Sequence, residues 1–295
     1  MKKILALLLC LMLPLSAAFA DEHADAPLLE VHQMPIGYAD GYYIRCGDIE
    51  IMIDGGKPVP FARNEDVLNC LRELGAERLD AYIITHWHLD HCENFNPVLA
   101  EFGTPETAVY SPSTELPDRI THQKGELQIA PMVTGVYSQM KTGDVITLGA
   151  LTITCVGPEN GGRTGKSNPD SLNFVLQYGS RRMLFTGDYA SSRAINTEFS
   201  ALCSHVDVLK FPHHGGEPFQ ITAAAVRTVS PAYVLMPSNL NNYKVFTFLR
   251  DNGVDIRREQ VLSQREGHVV ILTDGGDYIE AKTNQNPADY APKAN

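Results

Sequence analysis

Short apolar runs rich in β-branched residues, each bounded by polar or glycine-containing segments, recur along the chain at 50–54, 81–85, 151–156, 174–176, 183–186, 206–209, 233–235 and 269–272. Runs of this length and composition predict strands. Elsewhere the apolar spacing changes to that of a helix. Val67, Leu68, Leu71 and Leu74 follow a candidate N-cap at Asn64 and stop before Gly75, and Val245, Phe246 and Leu249 stop before Gly253. Strands and helices alternate loosely, which predicts an α/β layered domain. Hairpin-like neighbours within 144–156 and 172–185 make mixed sheets the expectation. No internal repeat or low-complexity linker divides the chain, so 21–295 reads as one domain, with its packed part from about Leu28 to about Lys282 and a polar tail from Asn284 expected to fray.

The start of the chain has a different pattern. Met1-Lys2-Lys3, an apolar run over 4–15 and Ser16-Ala17-Ala18-Phe19-Ala20 before Asp21 have the order of a secretory signal, which predicts 1–20 as a signal peptide cleaved after Ala20. The run is shorter than the roughly 20 residues a membrane span needs. Cys10 follows Leu9 rather than a small residue, which argues against lipidation. Cleavage removes Lys2 and Lys3 and no acid, so the net charge falls from −11 to −13. Long-range attraction to nucleic acid is disfavoured by that balance. Cys46, Cys70, Cys92, Cys155 and Cys203 remain, without a C-x-x-C pair or a disulfide framework.

The most informative stretch is Thr85-His86-Trp87-His88-Leu89-Asp90-His91, directly after a predicted buried strand. His86 and His88 alternate and project to one side of an extended segment, whereas Asp90 and His91 enter the following turn and face a second point nearby. That spacing suits two metal ions side by side. Leu209-Lys210-Phe211-Pro212-His213-His214-Gly215-Gly216 follows another apolar strand, and Phe185-Thr186-Gly187-Asp188 ends a third in a carboxylate. Five of the ten histidines fall in the two clusters, so chance decoration of loops is a poor account. Imidazole and carboxylate without thiolate suit zinc, with manganese or iron as alternatives, in sites that keep positions open for water. Trp87 is read as packing the core rather than stacking a substrate. His122 is expected on an exposed loop and His268 at an ordinary strand edge.

The motifs His86-x-His88-x-Asp90-His91, Thr186-Gly187-Asp188 and Pro212-His213-His214-Gly215 resemble the metallo-β-lactamase superfamily. Within it, 79–86 and 206–215 look most like the extracellular hydrolase domain of ComEC-type competence proteins, with exported phosphorylcholine esterases as a related branch. The resemblance covers roughly 31–275 and implies a four-layer αβ/βα sandwich of two mixed sheets with the metals at one edge. It puts His86 and His88 on a first ion, Asp90 and His91 on a second, and Asp188 between them as a bridge. His213 or His214 completes the second site; His213 is taken as the ligand, and His214 joins Asp90 and Asp188 as a catalytic residue that donates to substrate. On the residues alone Asp54, in Ile53-Asp54-Gly55-Gly56, is equally an Asp–Gly turn. The resemblance implies instead that it supports the site by hydrogen bonds. The stretch 157–172, where the superfamily usually carries a further histidine, has none. That gap fits the ComEC-like group, argues against a true β-lactamase, and leaves the first ion to Asn, Ser, Asp or water in the vacant place. The segment 238–243 also lacks the Gly-His-Pro element found in ComEC-like domains.

An exported metal-dependent hydrolase is therefore expected, in which a hydroxide bridging two ions attacks a phosphodiester. Ester, lactone or amide substrates are the alternative. A non-enzymatic secreted metal-binding module would predict a damaged ligand set, and the set is intact apart from the one gap. The acidic balance and the lack of any Lys/Arg run favour a small-molecule or cell-envelope phosphodiester over nucleic acid, with no transmembrane span in the mature chain.

Overall fold

The structure, a computed structural model, describes residues 27–56, 64–122, 125–130, 134–159, 164–238, 241–264 and 267–292. The expected signal peptide, 1–20, lies outside the described residues, as does the side chain of His122. Two large sheets make the fold. In the first, the strands lie in the spatial order Ile279–Gln285, His268–Thr273, Leu29–Gln33, Tyr42–Cys46, Ile49–Ile53, Ala81–Ile83, Ala108–Ser111 and Val136–Gln139. Neighbours are antiparallel as far as Ile49–Ile53 and parallel from there on. The second sheet runs Val261–Ser263, Tyr233–Met236, Val208–Lys210, Arg181–Phe185, Asn173–Tyr178, Leu151–Gly157 and Val145–Leu148, parallel over its first four strands and antiparallel over the rest. Each sheet thus joins a parallel half to an antiparallel half, the mixed character expected from the hairpin-like spacing.

Period-two alternation divides each central strand between two cores. Tyr42, Ile44, Ile51 and Ile53 lie between the sheets and join Ile153, Phe174, Leu176, Phe185 and Val208 in one apolar cluster. Tyr43, Met52, Tyr82 and Val109 lie on the opposite face and pack with Val67, Leu71 and Val98 of the helices Asn64–Glu73 and Phe95–Phe102. Val175, Leu184, Leu209 and Val234 pack likewise with residues of the helices Ala223–Val229 and Asn242–Asp251. The result is the four-layer αβ/βα sandwich. Because both faces of each sheet are covered, the strands read in sequence as continuous apolar runs.

One sequence expectation changes. The tail from Asn284 is not frayed over its described part: the last strand continues to Gln285, a 3-10 turn spans Pro287–Tyr290, and the Tyr290 carbonyl accepts from Arg45 Nη1 at 2.8 Å. His268 stands at the end of its strand as expected, where it is buried with Nε2 2.9 Å from His32 Nδ1. Strand Tyr42–Cys46 escapes the apolar pattern because it carries Arg45, whose guanidinium is buried against the Tyr43 hydroxyl and the Leu74 carbonyl. Trp87 is 1% exposed and donates from Nε1 to Ser113 Oγ at 2.8 Å, so it packs the core as expected. Cys46, Cys70, Cys92, Cys155 and Cys203 are all free and buried. Among the described residues no helix is long and apolar enough to cross a membrane.

Candidate metal centre

The chemistry collects where parallel strands end, at the edge where the two sheets face each other. Ile49–Ile53 ends in Asp54. Ala81–Ile83 leads through Ile84 and Thr85 to His86, after which His88 precedes the short helix Leu89–Cys92 and sets Asp90 and His91 on its first turn. Arg181–Phe185 leads to Asp188 through Gly187, whose φ of +53° a side chain would resist. Val208–Lys210 leads to His213 and His214, both at positive φ, 53° and 51°.

These turns bring six of the expected residues together in two groups that share Asp188. Asp90, His91, Asp188 and His214 form one group and His86, His88 and Asp188 the other, the ligand atoms within each lying no more than 4.8 Å apart. His91 Nε2 stands 3.1 Å from Asp188 Oδ1, and His214 Nε2 is 3.2 Å from Asp90 Oδ2 and 3.5 Å from Asp188 Oδ1. His86 Nε2 is 3.8 Å from the other Asp188 oxygen. Asp54 sits behind, accepting from Thr85 N at 2.8 Å and Thr85 Oγ1 at 2.7 Å and lying 2.8 Å from His91 Nδ1.

His213, expected among the ligands, lies in neither group; His214 takes that place. Two consecutive left-handed residues turn their side chains apart, so only the second returns toward Asp90 and Asp188. His213 is half-buried, and its Nδ1 is enclosed without a hydrogen-bond partner. The histidine-free stretch 157–172 nevertheless reaches the site. The Lys166 carbonyl is 3.1 Å from His88 Nε2, and Ser171 Oγ accepts from Asp188 N at 3.0 Å while lying 3.4 Å from His86 Nδ1.

Two functional neighbours were not foreseen. Asp40, in the loop between Leu29–Gln33 and Tyr42–Cys46, is fully enclosed, 3.2 Å from His214 Nδ1 and in contact with the ammonium of Lys210. Lys210 Nζ also donates to the Gly187 carbonyl at 2.5 Å. Lys210 did carry a signal, since a charged residue inside the apolar run Val208-Leu209-Lys210-Phe211 needs a counter-ion. Asp40, between Ala39 and Gly41, reads like any turn.

Buried His86 Nε2, Asp90 Oδ1, His91 Nε2 and Asp188 Oδ1 make no hydrogen bond. Such enclosed polar atoms need a partner, and their convergence with an all-imidazole and carboxylate donor set fits a divalent ion. The electrostatics agree. Burial opposes a charge on His91 and on His214, but Asp188 and its neighbouring carboxylates outweigh it, holding His91 well above its ordinary value and His214 up to about 9. Burial likewise opposes ionisation of Asp188 and Asp90, yet the facing imidazoles hold both carboxyls below the usual range. Burial, with His91 nearby, pushes His86 well down, leaving it a neutral ring. The carboxylates demand positive charge, and a divalent cation held here would supply it in place of the protons of His91 and His214.

Among solved structures, the metallo-beta-lactamase fold protein YhfI from Bacillus subtilis is 16% identical, with a TM-score of 0.47 over 77% of this chain and 92% of that one. The metallo hydrolase Igni18 from Ignicoccus hospitalis is 16% identical, with a TM-score of 0.49 over 77% and 94%. A diphosphatase of the PhnP family is 14% identical, with a TM-score of 0.43 over 71% and 85%. Among curated proteins, mitogen-activated protein kinase kinase kinase 2 of Arabidopsis thaliana is 23% identical over 166 residues, 51% of this chain. The match spans only 26% of the length of that relative. The family model of the metallo-beta-lactamase superfamily matches residues 35–225, which holds every residue of the two ligand groups. The chain belongs to the metallo-beta-lactamase superfamily and has its metal-dependent hydrolase fold.

Proposed function

We propose that this chain is an exported two-metal hydrolase that cleaves a phosphodiester of a small molecule or of the cell envelope, with zinc as the metal. One observation carries the reading: two candidate ligand groups share a single buried carboxylate, Asp188, so two cations can be held side by side. Asp90, His91 and His214 would hold one ion and His86 and His88 the other. When bound, such a pair lowers the pKa of water toward neutrality and stabilises the charge that develops on a phosphorus centre in an in-line displacement. The remaining work falls to the chain's own residues. Asp54 and Thr85 fix the His91 ring, and Ser171 fixes the backbone of Asp188. Burial holds the His213 imidazole below its ordinary value, so it meets a substrate oxygen neutral, as a hydrogen-bond donor. His213 thereby takes the donor role first expected of His214.

The phosphodiester is favoured by the ComEC-like and phosphorylcholine-esterase-like motifs and by the absence of a third histidine in 157–172, where Ser171 and the Lys166 carbonyl stand instead. The net charge of −11 disfavours a nucleic-acid substrate. The test is the ratio of rates on a chromogenic phosphodiester and a chromogenic cephalosporin at equal concentrations of zinc-loaded protein. The phosphodiester is expected to be cleaved faster, with activity lost on chelation and in Asp90→Ala. Faster cleavage of the cephalosporin refutes the proposal, and faster cleavage of a lactone or carboxylic ester transfers it to the alternative substrate class.

A further inference from the structure

The histidines of the two ligand groups are not supported alike. Among the described residues, His86 Nδ1 meets hydroxyls, Thr85 Oγ1 at 3.3 Å and Ser171 Oγ at 3.4 Å, and His88 Nε2 meets the Lys166 carbonyl. Each histidine of the Asp90-containing group instead has a fully buried carboxylate behind its Nδ1: Asp54 at 2.8 Å from His91 and Asp40 at 3.2 Å from His214. From these contacts we infer that Asp40 is a positioning residue that holds His214 as the Nδ1–H tautomer, with Lys210 as its fixed counter-ion, and thereby sets the affinity of the ion held by Asp90, His91, Asp188 and His214.

The inference rests on the metal-ligand reading given above and follows from how the two imidazole nitrogens are divided. His214 Nε2 points at Asp90 and Asp188, the oxygens that would share the ion, while Nδ1 points at Asp40. Asp40 Oδ1 and His214 Nδ1 stand at ion-pair distance, 3.2 Å, without a formed hydrogen bond in this structure; a neutral imidazole has one proton and one lone pair, and the facing carboxylate favours the proton on Nδ1, which leaves the lone pair of Nε2 aimed at the metal. A carboxylate this deeply enclosed is costly unless paired. Lys210 supplies the charge, and its ammonium is itself tied to the Gly187 carbonyl beside Asp188. The loop that carries Asp40 is pinned to the same site twice: Asp40 N donates to the Asp90 carbonyl at 3.1 Å, and the Tyr38 ring lies 4.4 Å from that of His214. Lys210 and His214 lie on one continuous segment, so the strand that delivers the ligand also delivers the counter-ion of its support.

A merely structural ion pair would make a different prediction, which decides the experiment. Removing one partner strands a buried charge and risks unfolding, so the variant to make is the double Asp40→Leu/Lys210→Met, which removes both charges at similar volume. Zinc affinity is read by competition with a chromophoric chelator, and folding by the urea midpoint of the chelated protein. The double variant is expected to keep a wild-type midpoint and to bind its tighter zinc ion 10- to 100-fold more weakly. Unchanged zinc affinity overturns the inference. A second measurement needs no variant: in ¹⁵N-labelled, zinc-loaded wild-type protein, the ring nitrogens of His214 should report a protonated Nδ1 and a metal-bound Nε2. A protonated Nε2 overturns the inference whether or not the double variant folds. Wild-type protein that takes up no zinc overturns the ligand reading beneath it, a result distinct from both.

Discussion

Gly187 joins the strand Arg181–Phe185 to Asp188, and its replacement by alanine strikes the metal centre from behind. Its φ is +53°, a conformation that costs an L-residue about 1–2 kcal/mol. A Cβ there would also lie 2.8 Å from Ser171 Cβ, 2.9 Å from Ser171 Oγ and 3.0 Å from Thr85 Cβ. Both neighbours are 1% exposed, so neither has room to withdraw, and overpacking of this kind costs about 1–3 kcal/mol more. Gly253→Ala separates the two contributions, because Gly253 also has positive φ, +85°, but nothing within 4 Å of an added Cβ. Urea unfolding of chelated protein should place Gly187→Ala below Gly253→Ala by about 1–3 kcal/mol, the crowding alone. Since Ser171 Oγ accepts from Asp188 N and faces His86 Nδ1, Gly187→Ala should also lose zinc while Gly253→Ala keeps it. Equal stability and equal zinc content in the two variants would refute the packing assigned to this edge of the site.

Asp54→Asn keeps one acceptor for Thr85 N but turns an amide donor toward His91 Nδ1, favouring the wrong tautomer; chelator competition should find zinc bound roughly 10- to 100-fold more weakly. Burial, then His32, holds His268 down to about 3, below the ordinary 6.5, so the unfolded chain takes up a proton that the folded one refuses. The stability this protects is present above pH 6.5 and lost as pH falls, by about 2 kcal/mol between pH 6.5 and 5. Urea midpoints across that range should fall less steeply for His268→Leu than for wild type, and parallel curves would contradict this. N-terminal sequencing of exported protein should begin at Asp21, whereas an intact Met1 would reject cleavage.

The strand ends that carry the candidate ligands were legible because metal chemistry restricts residue type: His86, His88, Asp90, His91 and Asp188 announce themselves by spacing, and the structure brings them together. Choosing between His213 and His214 was not, because neighbours of one type differ only in backbone turn, and both sit at positive φ. Asp40 was illegible for another reason. Its partners Lys210 and His214 lie far along the chain, and no local periodicity marks a long-range buried ion pair. Among strands, the apolar runs buried on both faces were read correctly, whereas Ile279–Gln285, half-buried and polar, lacks such a run, and its last two residues, Asn284 and Gln285, fell in the expected tail. The helix Ala223–Val229 was missed because alanine and threonine give little apolar contrast, although Thr222 caps it by accepting from Ala225 N.

The most direct test of the two-metal centre is an anomalous difference map, recorded at the zinc edge, from crystals of zinc-loaded protein. Two peaks are expected on either side of Asp188, one among Asp90, His91 and His214 and the other beside His86 and His88, with His213 touching neither. Peaks elsewhere, or none at Asp188, would contradict the account.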